Sequence, residues 1–267
     1  DELTGLLQKH RLSLSAVNVN IKGEPEFVAG SLTSPKKAVR EKAVQFIKDA
    51  KDFAIAVGAP RVTCCPLADG FEFPFELDYR RAWKSLADAI AEAADHQPQM
   101  PLFLEYKPKE TRGRCVLNRA ADTLVLLNTL RNSSLGVTMD YGHSIYGGES
   151  PAEVVCMLED SGYDYYVHIN DNDKTWDWDY FCGSHTFLEY VEFIYYLKKF
   201  GYDKHLTSDS HPTRWNMKEM FTINSRVTTR IWDLLDRVGM DEIAKRVDTG
   251  DYLPTWKFIE ENIFSLR

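Results

Sequence analysis

Leu135-Gly136-Val137-Thr138-Met139-Asp140-Tyr141-Gly142-His143 is an apolar run that ends in an acid, a glycine and a histidine. Such a run, closed by a turn signal, reads as a buried strand of a parallel sheet. Side chains alternate along a strand, so Val137 and Met139 face covering helices while Thr138 and Asp140 face the opposite way. Asp140 is then expected at the strand's C-terminal tip, pointing inward. Taken alone, Asp-x-Gly is also an ordinary way to stop a strand.

The instance is not alone. Pro101-Leu102-Phe103-Leu104-Glu105, Tyr165-Tyr166-Val167-His168 and His205-Leu206-Thr207-Ser208-Asp209 repeat the pattern of an apolar strand with one metal-competent group at its end. Glu105 shares its direction with Phe103, His168 with Tyr166 and Asp209 with Thr207, whereas Leu104, Val167 and Leu206 point to the other face. Each group singly could cap a loop. Together, Glu105, Asp140, His168 and Asp209 point to one shared metal site.

Outward from these strands, the chain alternates strand and helix. Leu12 to Asn20 reads as the first strand, and Ser34-Pro35 caps a helix whose buried face carries Ala38, Ala43, Val44, Ile47, Ala50 and Phe53. Arg61 to Cys65 is the second strand, leading into an aromatic and proline-rich loop, Pro66 to Pro74, that suits a wall or lid. Helices are expected over Asp78 to Ala94, Ala120 to Leu130, Pro151 to Asp160 and Thr186 to Phe200. The tail from Met217 is helical, with a break at Pro254. This alternation predicts an α/β fold with a parallel sheet. No Gly-x-Gly-x-x-Gly marks an open dinucleotide-binding sheet, and functional groups at four strand tips suit a (β/α)8 barrel of the TIM type. Only six strands are countable and residues 1–10 look like the end of a helix. The expectation is one barrel domain over 1–267 whose first two strands are missing from this chain, with a helical extension from about 217.

Composition sets bounds. The 267 residues are 44% hydrophobic with a formal charge of −8, as in a soluble globular chain. The acidic balance argues against nucleic acid as the main partner, and no run has the length of a membrane helix. Cys64, Cys65, Cys115, Cys156 and Cys182 are odd in number and lack Cys-x-x-Cys spacing, which fits a reducing compartment and a cytoplasmic location.

The order Glu105, Asp140-x-x-His143, His168, Asp209 resembles the xylose isomerase-like barrel family, which includes ketose epimerases, sugar isomerases and endonuclease IV. The resemblance runs from about Leu12 to Asp209. Glu-Tyr-Lys-Pro-Lys-Glu, Met-Asp-Tyr-Gly-His, His-Ile-Asn-Asp and Leu-Thr-Ser-Asp are closer to the sugar-acting members. It implies that Glu105, Asp140, His168 and Asp209 hold one divalent ion, with His143 and Lys174 touching a small-molecule sugar. One departure stands out: the epimerases usually have a glutamate where this chain has Asp209.

Three carboxylates and an imidazole suit Mn²⁺ first, with Mg²⁺, Co²⁺ or Zn²⁺ as alternatives. A metal that chelates a hydroxyl and an adjacent carbonyl acidifies the C–H between them, and a nearby base removes the proton. The expected catalytic residues are His143, as base or donor, Glu105 and Asp209. Lys107, Lys174, His211, Arg214 and Trp176 are expected to contact substrate, and Trp178 and Phe181 to cover a sugar's apolar face. His10, His96, His185 and His205 carry no functional reading. The leading function is a metal-dependent sugar isomerase or epimerase. A lyase acting on an oxidised glycoside, like the catalytic subunits of C-glycoside deglycosidases, is the alternative that Asp209 favours; a non-catalytic sugar- or partner-binding barrel is another. A homo-oligomer or a complex with a second subunit is expected.

Overall fold

The computed structural model describes residues 2–211 and 214–266. Six parallel strands form one sheet in the order β1 (Val17–Val19), β2 (Val62–Cys64), β4 (Leu102–Glu105), β6 (Leu135–Asp140), β7 (Tyr165–Ile169) and β8 (Leu206–Ser208). A small antiparallel pair, β3 (Gly70–Phe71) with β5 (Arg114–Cys115), stands on the loops that follow β2 and β4. The helices are α1 (Glu2–His10), α2 (Lys37–Val57), α3 (Tyr79–Asp95), α4 (Ala120–Leu130), α5 (Tyr141–Tyr146), α6 (Pro151–Ser161), α7 (Phe187–Lys199), α8 (Met217–Val238), α9 (Met240–Thr249) and α10 (Tyr252–Asn262). This is a partial (β/α)8 barrel, open between β1 and β8 among the described residues.

Alternation builds the two faces as the sequence dictates. Val62, Leu102, Leu104, Val137, Met139 and Val167 are fully buried on the outer face and join the helices in one core. The inner face is filled by larger and polar groups. Gly136 has no side chain because one cannot fit: a Cβ there would lie 2.6 Å from the Phe103 ring and 2.7 Å from the Asp164 carbonyl. The Arg61 guanidinium fills the space between Phe103 and Tyr166, 5.0 and 4.8 Å from their ring centres. Register then sets the tips side by side, with Glu105 opposite Thr138, Asp140 opposite His168 and His168 opposite Thr207.

Helix ends follow local chemistry. Asp78 caps α3 by accepting from Arg81 N at 3.0 Å, and Ser150 with Pro151 opens α6. Four expectations are corrected. Ser34-Pro35 does not cap α2, whose N-cap is Lys36; the Ser34 hydroxyl instead accepts from Lys36 N at 3.3 Å. Ala38 and Phe53 are exposed, because the buried face of α2 is centred on Ala43, Val44, Ile47 and Ala54. The same face carries Lys51, whose ammonium bonds the Ala93 and Ala94 carbonyls at the end of α3. The first strand shrinks from Leu12–Asn20 to Val17–Val19, since β1 has a neighbour on one side only and Leu12 is exposed. The tail breaks at Gly239 and Gly250, both at positive φ, rather than at Pro254, which sits in the first turn of α10 where its missing N–H costs nothing. No described helix is long and apolar enough to cross a membrane, and all five cysteines are free thiols.

Candidate metal centre

The tips of β4, β6 and β7 and the residue after β8 bring Glu105, Asp140, His168 and Asp209 together, each offering one ligand atom within 4.8 Å of the others. His168 Nδ1 lies 3.4 Å from Glu105 Oε1, 3.7 Å from Asp140 Oδ2 and 3.4 Å from Asp209 Oδ2. Glu105, Asp140 and His168 are buried, whereas the Asp209 side chain is half exposed. Asp140 does two things at once: Oδ1 accepts from His143 N at 2.8 Å, capping α5, while the carboxylate faces the cluster. Asn170 Nδ2 donates to both its oxygens at 3.3 and 3.1 Å. Gly142 permits this approach, because a Cβ there would lie 2.2 Å from Asn170 Oδ1.

The electrostatics of the set follow from its burial and its crowded charges. Burial, together with Asp177 and Asp209, pushes the Asp140 carboxyl up to about 6. Burial would lower His168, yet Glu105 and Asp209 outweigh it and hold the imidazole well above its ordinary value. His168 Nδ1 is nonetheless buried without a hydrogen-bond partner. A buried nitrogen aimed at three carboxylates could hold a divalent cation, which would neutralise the acids and accept the imidazole's lone pair. The residues therefore fit the metal that the sequence implied.

A second layer adjoins it. His143 Nδ1 lies 2.9 Å from the Tyr106 carbonyl oxygen, and Nε2 lies 3.3 Å from Asp177 Oδ2. Lys107 Nζ is 2.7 Å from the same Asp177 oxygen and 2.8 Å from Glu110 Oε2. Burial pulls against the charge on His143, but Asp140 and Asp177 prevail and raise it to about 10. Asp177 is correspondingly held below the carboxylate range by His143 and Lys107, against its burial. Burial and the neighbouring carboxylates of Asp177, Asp209 and Asp140 push Asp179 up to about 8. Asp140, His143 and Asp177 form a second group with ligand spacing, although the Lys107 ammonium already occupies Asp177.

Of the residues expected at the site, Lys107 is there. Lys174 is not: its backbone turns through a positive φ held by Asn172, and its ammonium pairs with Glu189 at 2.9 Å on the surface. Trp176 is partly exposed and packs edge-on against Tyr146. His211 and Arg214 are exposed just beyond β8, and Arg214 lies over Trp215. Phe181 also packs on Trp215. Sequence reasoning missed Asn170, Asp177 and Asp179. Their signal was present in Asp171, Asp173, Asp177 and Asp179, a carboxylate at nearly every second position after β7.

The xylose isomerase of Thermus thermophilus is 25% identical over 219 residues, 80% of this chain and 57% of that relative, so the chain spans under two thirds of its length. The structure of a D-tagatose 3-epimerase-like protein superposes with a TM-score of 0.72 at 19% identity, covering 88% of this chain and 83% of the other. The IOLI protein with a bound zinc atom superposes with a TM-score of 0.66 at 16% identity, covering 86% and 80%. At such identities these two show the shared fold. The profile of the xylose isomerase-like TIM barrel matches residues 1–222, a span that contains all four clustered donors, and the chain belongs to that family.

Proposed function

We propose that the chain is a metal-dependent sugar isomerase or epimerase that moves a proton on carbon next to a carbonyl. The observation that carries this reading is the convergence of Glu105, Asp140, His168 and Asp209 on one small volume around an unpartnered imidazole nitrogen. These four would hold the ion, Mn²⁺ by preference for its oxygen-rich set, and zinc is the ion bound in the IOLI protein. When bound, a divalent ion supplies the Lewis acidity that eases loss of a proton beside a carbonyl.

The chain's own groups divide the remaining work. His143 is less suited to be the base than its position suggested, because a carbonyl sits on one ring nitrogen and a carboxylate on the other. With both N–H groups engaged, it acts as a fixed positive charge beside the cluster and favours negative charge that develops there. The proton on carbon then passes to a carboxylate, Asp209 or Glu105. Lys107 has three N–H donors, of which Asp177 and Glu110 take two, leaving one for a substrate oxygen. Trp176 is placed against α5 beside this layer, and His211 and Arg214 complete the proposed contacts from beyond β8. Asp209 also favours a second reading, a lyase on an oxidised sugar: shorter than glutamate and half exposed, it limits exchange between two carboxylates.

Deuterium incorporation from heavy water into a panel of ketoses, with and without Mn²⁺, tests the reading. Metal-dependent exchange is expected, and His143→Gln should slow it about a hundredfold while leaving the ion bound. Loss of an aglycone from keto-glycosides with no exchange into any ketose would assign the lyase instead.

A further inference from the structure

Beyond the tip of β7 the chain stays buried for three more residues, Asn170, Asp171 and Asn172, none of which has exposed surface. Asn170 lies two residues after His168 and so shares its inward direction. Its amide nitrogen stands in the fork of the Asp140 carboxylate, 3.3 Å from Oδ1 and 3.1 Å from Oδ2, with Asp179 Oδ1 farther off at 3.5 Å. Charge fixes which way the amide faces: turned over, its carbonyl oxygen would meet two carboxylate oxygens. Two sacrifices accompany this placement. Asn170 Oδ1 is buried without a hydrogen-bond partner, and position 142 has to be glycine, since a Cβ there would lie 2.2 Å from that oxygen.

A second amide holds the same turn. Asn172 Nδ2 donates to the Gly142 carbonyl at 3.0 Å, and Asn172 Oδ1 accepts from Lys174 N at 2.9 Å. The turn from Asp140 to His143 is thus pinned at two points by the chain that leaves β7, and the His143 N–H reaches Asp140 Oδ1 at 2.8 Å. This decides which electron pairs of Asp140 stay free. A carboxylate that holds a cation with both oxygens does so in the fork between them, and Asn170 Nδ2 already fills that fork. Oδ1 is engaged by the His143 N–H as well. What is left is the outer side of Oδ2, the oxygen 3.7 Å from His168 Nδ1.

We propose that Asn170 is a positioning residue that limits Asp140 to one ligating oxygen, Oδ2, and so leaves room beside the ion for a substrate oxygen. An ion held by both oxygens of Asp140 would have fewer places for water or for a sugar's hydroxyl and carbonyl. The proposal rests on the metal-dependent sugar reading above and deepens it, and its first readout is independent of any sugar.

The test is water proton relaxation by Mn²⁺ bound to the protein, which rises with the number of exchanging waters on the ion, in the wild type, Asn170→Ala and Gly142→Ala. Asn170→Ala empties the fork, and Gly142→Ala pushes the amide out of it while keeping the asparagine. Both variants should still bind the ion, with relaxation reduced about twofold as the second oxygen of Asp140 takes a water's place. KM for a ketose should rise roughly tenfold, with kcat less affected. Circular dichroism checks the fold, and either folded variant suffices. Unchanged relaxation in a folded variant, or loss of the ion from it, overturns the proposal. So does a wild-type ion that carries no exchanging water, a result that needs no variant. Deuterium exchange separates the two readings: reduced relaxation with no exchange into any ketose keeps the role of Asn170 and removes the isomerase, and exchange with unchanged relaxation does the reverse.

Discussion

Strands β6 and β7 are buried at every position, whereas β8 is only half-buried along its length and β1 exposes its middle residue. The same contrast divides the four donors. Glu105, Asp140 and His168 stand on strands with a neighbour on each side, and packing holds them whatever occupies the space between. Asp209 follows a strand with one neighbour and has half its side chain in solvent. Three donors are thus prebuilt, and the fourth is the one whose position an ion would fix. Metal binding should act as a staple between the rigid middle of the sheet and its edge.

The largest effect should come from the rigid side. Asp140→Asn keeps an oxygen for the His143 N–H, and so the cap on α5, but removes the charge that faces the ion. Turnover should drop at least a thousandfold with the fold retained by circular dichroism. Comparable turnover in the variant would mean that the buried carboxylate is structural only.

The contrast itself is open to amide hydrogen exchange. Without metal, the β6 amides should be protected far more than those of β8, and Mn²⁺ at a hundred times its dissociation constant should add about 2.7 kcal/mol of stability. The extra protection should concentrate on Leu206–Ser208. An equal change in β6 and β8 would break the staple.

The rigid half of this site was legible in sequence for a simple reason. Inward or outward direction is fixed by residue parity within a strand, and a parallel strand's C-terminal end faces the same side as all the others. Glu105, Asp140 and His168 follow from counting alone. Asn170, Asp177 and Asp179 lie in a loop, where direction depends on what the loop packs against, so the tryptophans Trp176 and Trp178 drew the reading while the carboxyls between and after them went unread. Lys174 failed for the same reason: one residue at positive φ sends it to Glu189. The helical face of α2 was legible near its middle, at Val44 and Ile47, and misread at its ends, where Ala38 and Phe53 lie on the far side of the helix from that stripe and stand in solvent.

The last effect lies outside the site and serves as its control. Burial lowers Lys51 to about 8, while in the unfolded chain it titrates near the ordinary 10.5. Between these values the unfolded state binds more protons, so the slope of stability with pH is positive for this group. Its burial cost is fully present below pH 8 and is relieved as pH rises toward 10.5. Stability of the wild type relative to Lys51→Met should therefore climb across that window, as read by urea unfolding, and Mn²⁺ should leave the difference unchanged. A difference that falls with pH would reverse the sign assigned to Lys51.

The central claim is one ion held by four donors, three of them prebuilt. It is tested most directly by counting bound manganese after equilibrium dialysis, in the wild type, Asp140→Ala and Asp209→Ala. The account predicts one ion per wild-type chain, since the second group with ligand spacing shares Asp140 with the first and lies beside the Lys107 ammonium. It predicts none in Asp140→Ala and a weakened but measurable site in Asp209→Ala. Wild-type stoichiometry and affinity in Asp140→Ala would contradict it.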